Sequence, residues 1–284
     1  MSDSGKLDQE PEKEMSFLDH LEELRWHVVR SVLAIFVVSI ALFLNPEFLF
    51  ETIIFAPTKT DFVTFRMLCE IGTRFNTDIL CFDQFPFDLQ SRTMMGQFMM
   101  HMTASIVGGF IVAFPYVFFE IWRFIAPGLY SHERKVSRGA VFFVTLLFSL
   151  GVSFGYFMVT PVAINFFANY SVYEAVHNQF DITNYVTTIM ILVMGSGLLF
   201  QLPIATYFLS KVGIITPDMM RQYRKHSIVV IFILAAMITP PDPFTQIFIG
   251  LPLIGLYQIS IYISAYVQRR KLKNESLEKL EEND

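Results

Sequence analysis

The stretch Val186–Leu209, VTTIMILVMGSGLLFQLPIATYFL, carries no charged residue. A helix needs about 20 apolar residues to cross the hydrocarbon of a bilayer, and backbone amides cannot stay unpaired there. The stretch therefore reads as a membrane-spanning helix. Ala140–Val159 is equally free of charge and reads the same way. Phe98–Ile121 is a third such run, with His101 and Glu120 toward its ends, where headgroups or water would reach them. Val28–Leu44 is shorter, at 17 residues, and holds Arg30, whose stem lets the charge reach the interface.

The rest of the composition agrees. Of the 284 residues 53% are hydrophobic and 17% charged, too small a polar share to clothe a soluble domain. Thirteen of the 26 acids lie in residues 1–23 and 275–284. These acidic tails argue against nucleic-acid binding, which needs a basic surface. The first 25 residues are polar, and the first apolar run ends at Leu44-Asn45-Pro46 without a small-residue cleavage pattern, so it is expected to be retained.

Toward the C-terminus, Ile228–Ile238 is apolar for only 11 residues. Thr239-Pro240-Pro241-Asp242-Pro243 interrupts it, and Thr245–Val267 follows without a charge. Arg221, Arg224 and Lys225 precede the pair; Arg269, Arg270, Lys271 and Lys273 follow it. Both basic clusters belong on one side, so the pair forms a hairpin, of two short helices or with a re-entrant first arm. Placing the N-terminus with Arg30, 122–138, 210–226 and 268–284 on one side gives that side 17 of the 21 Lys and Arg residues. Basic loops face the cytoplasm. The expectation is an all-α polytopic membrane protein with six transmembrane helices, the last two short, and both termini cytoplasmic. Its parts are a segment 1–27 with an amphipathic helix, a six-helix domain 28–267 and a charged tail 268–284. No internal repeat is visible, so the inverted-repeat plan of many secondary transporters finds no support.

Three local features carry chemistry. In Ser16-Phe17-Leu18-Asp19-His20-Leu21-Glu22-Glu23-Leu24-Arg25, Ser16 and Asp19 form a capping-box-like helix start. Glu22 and Glu23 then read either as a solvated face, with Glu22 paired to Arg25, or as a binding feature. In Trp122-Arg123-Phe124-Ile125-Ala126-Pro127-Gly128-Leu129-Tyr130-Ser131-His132-Glu133-Arg134, a turn leads into a helix that Ser131 caps, with Glu133 in its first turn. In Phe200-Gln201-Leu202-Pro203, the proline frees a carbonyl and the Gln201 amide needs partners inside a span. Gln201 is either a tie between the chain's own helices or a contact for another helix. Cys69 and Cys81 share the long outer loop 45–95, as a disulfide or as free thiols. The six histidines show no metal-ligand spacing. Met194-Gly195-Ser196-Gly197 suits close helix packing better than serine catalysis, because no His or acid completes a set.

Taken together, these motifs resemble the TatC family, the multispanning receptor subunit of the twin-arginine protein translocase. The resemblance runs from about Ser16 to Val267. It is carried by His20–Arg25, Phe124–Arg134, Thr239–Gln246 and Ala56-Pro57. It implies a receptor rather than an enzyme, without a cofactor. Such a receptor binds the twin-arginine signal peptides of folded proteins and assembles with single-span TatA and TatB partners as a hetero-oligomer. Export is then driven by the proton-motive force across the bacterial inner membrane. By the resemblance, Glu23 and Glu133 are the recognition acids, with Leu21, Arg25, Phe124 and Pro127 shaping the pocket. Two guanidiniums want fork-shaped anionic partners, and carboxylates supply them. Gln201 would be a partner-helix contact. Pro57, Pro240, Asp242 and Gln246 would be structural or functional loop positions. The chain departs from the family at Gln201, where Glu is common, and in its long first outer loop. A small-molecule secondary transporter is the alternative, distinguished by charged groups at midplane.

Overall fold

The computed structural model describes residues 17–59, 61–74, 87–125, 134–173, 178–239 and 242–281. Its elements are almost all helical. They are α1 (Phe17–Phe43), α2 (Val63–Arg74), α3 (Gly96–Ile125), α4 (Arg134–Phe154), α5 (Thr160–Asn169), α6 (Ile182–Leu199), α7 (Leu202–Val212), α8 (Pro217–Gln222), α9 (Arg224–Ile238) and α10 (Pro243–Glu281). Among the described residues five segments are long and apolar enough to cross a membrane: Glu22–Phe43, Gly96–Ile125, Val141–Asn169, Ile182–Val212 and Thr245–Lys273. The face from which α1 enters is called the near face below, and the opposite one the far face.

α9 is not among these five. Its 15 residues rise about 22 Å, less than the roughly 30 Å of a hydrocarbon core, so it matches a bilayer only where that bilayer thins. α10 differs from the sequence reading. It is the longest helix, at 39 residues. Past Val267 the chain runs on through Lys, Leu and Glu, strong helix formers that need no bilayer to stay helical.

The third span is one rod in three parts. α4 passes into a π-helical turn, Gly155–Val159, and then into α5. Thr160 Oγ1 donates to Gly155 O across this turn at 2.9 Å. The fourth span breaks at Phe200-Gln201, because Pro203 has no N–H to continue α6 into α7. α7 ends at Gly213, whose φ of +89° is open to glycine at little cost.

Lipid tails are as apolar as leucine, so close packing rather than water exclusion must hold spans together. Small residues make that packing possible. A Cβ on Gly109 would sit 2.1 Å from Ser39 Oγ and 2.9 Å from Ser39 N, so only glycine lets α1 and α3 approach this closely. A Cβ on Gly151 would sit 2.7 Å from Ser196 O. Ser196 is buried where the third and fourth spans cross, which is the packing role its sequence suggests. Between the third, fourth, fifth and sixth spans, Val159, Leu192, Ala235, Ile249 and Leu253 form one apolar cluster.

On the far face the first loop is fastened to the bundle. A π-helical segment, Phe48–Ile54, packs inward through Leu49 and Ile54. Tyr156 Oη donates to Ile53 O at 2.7 Å, and Tyr185 Oη to Ile54 O at 3.0 Å. Two short strands, β1 (Phe87–Gln90) and β2 (Asn178–Asp181), pair in parallel and join the two far-face loops. Neither strand stands out in the sequence. Asn178 closes the end of α5 by donating to the carbonyls of Phe167, Ala168 and Tyr170.

Candidate functional site

At the near face, α1 and α3 lie side by side and antiparallel, joined more extensively than any other pair of helices. His27 Nδ1 and Glu120 Oε2 meet across them at 2.6 Å. Both residues are buried, at 6% and 3% exposure. Arg30 NH1 stands 3.9 Å from the same carboxylate oxygen. Tyr116, one turn back on α3, neighbours the same carboxylate. This corrects the reading of Glu120 as a group that water reaches near a helix end: α1 covers it. Removing one member of such a pair strands the other, at a cost on the order of 3–5 kcal/mol.

Glu23 lies one turn before His27 on α1 and is half-buried; Glu22 beside it is exposed. Arg25 is exposed, with its guanidinium 5.9 Å from the Trp26 ring. Phe124 lies one turn after Glu120 on α3, half-buried, its ring centroid 6.2 Å from that of His27. Leu21 is on the helical backbone of α1. The structure therefore brings Glu23 and Phe124 to the same end of one helix pair. Glu133 and Pro127 lie outside the described residues; α4 begins at Arg134, the residue after Glu133.

The other expected positions are dispersed. Gln201 is on the N-terminal side of α7, and its Nε2 donates to Val144 O of α4 at 3.1 Å. Its Oε1 is buried with no partner. Asp242 is 2% exposed and caps α10, its Oδ1 accepting from Thr245 N at 2.6 Å. Gln246 Nε2 donates to Phe232 O at 3.1 Å, tying α10 to α9. Pro57 is buried in a single 3₁₀ turn, Ala56–Thr58. Pro240 and Cys81 lie outside the described residues, while Cys69, on α2, is disulfide-bonded. At the start of α6, Asp181 accepts from the backbone N–H of Arg92 and of Thr183, which holds its carboxyl below the usual aspartate range. Among the described residues no group of three His, Cys, Asp or Glu side chains is placed to hold a metal ion. A far-face cavity of about 410 Å³ lies between α5 and α6, remote from Glu23.

Sequence reasoning passed over His27. A partner 93 residues away leaves no trace in spacing. The available signal was Glu120 itself, since an acid inside a span asks for a cation or imidazole nearby.

The family model described as "Sec-independent protein translocase protein (TatC)" matches residues 19–252. The chain belongs to the TatC family. It is 42% identical over 260 residues to the TatC protein of Blattabacterium sp. subsp. Periplaneta americana (strain BPLAN), covering 91% of this chain and 98% of that one. It is 31% identical to the TatC protein of Aquifex aeolicus (strain VF5) over 258 residues, covering 90% and 98% of the two chains. A solved structure described as the twin arginine translocase receptor TatC superposes with a TM-score of 0.65 at 29% identity, over 88% of this chain and 99% of that one. A TatC chain is a multi-pass helical membrane protein, and the six-helix architecture expected from the sequence agrees with that fold.

Proposed function

We propose that this chain is the receptor core of a twin-arginine translocase and docks twin-arginine signal peptides at the near end of α1 and α3. The observation that carries the reading is Glu23, half-buried and level with Phe124 at the mouth of that helix pair. A half-buried carboxylate is less hydrated than a free one and offers both oxygens to a guanidinium. Glu133 is the second recognition acid, with Arg25, Leu21 and Pro127 at the pocket wall. The near face is cytoplasmic, which puts both termini in the cytoplasm, in keeping with its excess of Lys and Arg. Residues 1–27 and 268–284 then lie in the cytoplasm, and 28–267 form the membrane domain of the bacterial inner membrane. TatA- and TatB-type single-span subunits are the partners, with Gln201 at one contact. The receptor binds and passes on cargo and makes no covalent change to it. In the far-face loop, Cys69 is bonded to Cys81, the chain's other cysteine.

The test is a crosslink between a twin-arginine signal peptide and the protein in membranes. Glu23→Ala with Glu133→Ala is expected to abolish it. An unchanged crosslink would remove both acids from the site.

A further inference from the structure

The pairing of α1 with α3 has a single register. His27 faces Glu120 at the near end, and Ser39 faces Gly109 further along. In antiparallel helices this matching places Glu23, one turn before His27, level with Phe124, one turn after Glu120. The Ser39–Gly109 contact draws the two backbones together but offers no directional bond across the helices, because Ser39 Oγ donates to Ile35 O on its own helix. Apolar and small-residue surfaces tolerate a slip along the helix, whereas a buried hydrogen bond closed at 2.6 Å does not. Three groups converge on one carboxylate: His27, Arg30 and Tyr116. A buried polar or ionic contact contributes little net stability, and its best-attested use is to fix registry. The remaining face of the imidazole is turned to the Phe124 ring.

We infer that His27 and Glu120 are positioning residues for signal-peptide recognition: their buried contact sets the axial register of α1 against α3 and so holds Glu23 and Phe124 level with one another. The inference rests on the receptor reading above. Neither side chain touches the peptide. Their loss acts through the placement of Glu23, so it weakens recognition of the guanidinium pair more than general attachment to an apolar peptide.

The experiment uses the full chain in lipid nanodiscs and a fluorescent twin-arginine signal peptide, with a twin-lysine version as the comparator. Glu120→Gln and His27→Gln are each expected to raise Kd for the twin-arginine peptide about tenfold. The preference for arginine over lysine should shrink by a similar factor. The double variant should be no worse than either single, because one contact is lost in all three. The exchange variant, His27→Glu with Glu120→His, should restore most of the affinity and the preference. A merely structural role would lower the yield of folded protein and leave Kd and the arginine preference of the folded fraction as they were. That result, or two independent losses that add in the double variant, overturns the inference. If either single variant does not fold, the exchange variant decides alone: folded protein without arginine preference overturns it too. Failure of the unaltered chain to bind the twin-arginine peptide is a different outcome and sinks the receptor reading itself.

Discussion

Gln201 donates its amide to the main-chain oxygen of Val144 at 3.1 Å, tying the break in the fourth span to the third. The other end of the same amide, Oε1, is buried without a partner. Gln201→Leu therefore removes one bond and one orphaned acceptor together. Hydrogen bonds between spans average about 0.6 kcal/mol, so the net cost should stay under about 1 kcal/mol. Gln201→Glu is the harsher change, although the two residues have the same shape. An ionised carboxylate has no proton for Val144 O, and two acceptors then face each other at a cost of about 1–3 kcal/mol. Thermal unfolding of the purified variants in micelles should rank glutamate below leucine in alkaline buffer. The gap should narrow on acidification, when the carboxyl regains a donor.

The hairpin of the last two spans depends on Asp242. Its carboxylate caps α10 through Thr245 N at 2.6 Å. Asp242→Ala is expected to cost about 1 kcal/mol, the usual loss for a helix cap, and Asp242→Ser much less. Gln246→Ala removes the separate tie to Phe232 O. Proteolysis of the hairpin in detergent should speed up in the alanine variants and not in the serine one.

Gly109 leaves no room for a side chain, since its Cβ would approach Ser39 N to 2.9 Å. Main chain cannot yield as a flexible side chain does, so Gly109→Ala must push α1 away from α3. Overpacking of this kind costs about 1–3 kcal/mol. Differential scanning of the variant should show the loss. Gly139→Ala, where a Cβ meets nothing within 4 Å, is the matched control and should hold or raise stability, because alanine is the better helix former.

Acid should loosen the far-face loops at Asp181. The Arg92 N–H, first, and the Thr183 N–H hold its carboxyl below the ordinary value of 3.8. A carboxyl lowered by folding stabilises the fold fully above its unfolded pKa and loses that contribution as pH falls through the folded pKa. Protection of the β1–β2 amides from hydrogen exchange, corrected for intrinsic rate, should therefore hold above 3.8 and decline below it. Asp181→Asn should flatten the profile.

Reduction offers a separate check on the outer loop. Cys81→Ser should expose a thiol on Cys69 that maleimide labels without reductant. The unaltered chain should label only after reduction. Equal labelling in both would disprove the bond.

Much of this was legible beforehand, and the part that was not shares one cause. Apolar runs announce spans because a bilayer leaves the backbone no alternative to helix. Pro203 announced the interruption of the fourth span, and Ser196 its place between glycines. Glu120 is visible as an acid within a span, but position along one helix says nothing of what a second helix lays over it. The β1–β2 pairing is hidden in the same way, for each strand is only four residues long: Phe87–Gln90 alternates but is too brief to stand out, and Asn178–Asp181 does not alternate. α10 exceeded its expected length because hydropathy detects where lipid ends and is blind to where a helix ends. Within the site, Glu23 and Phe124 fell where the motifs placed them, while Glu133 and Pro127 are outside the described residues.

The π-helical turn at Gly155–Val159 has a mechanical consequence. A wide turn is an insertion the helix has absorbed, and each residue carries about 100° of rotation. Everything beyond it, including Ala163, Ile164 and Phe167 of α5, is thus dialled out of phase with α4. Deleting one residue there would leave both halves helical and the composition almost untouched. It would swivel the outer half of the rod, carry buried faces into lipid, and pull Tyr156 from the carbonyl it clasps. The chain's tolerance of length change should be lowest at this point, even though no functional side chain stands there.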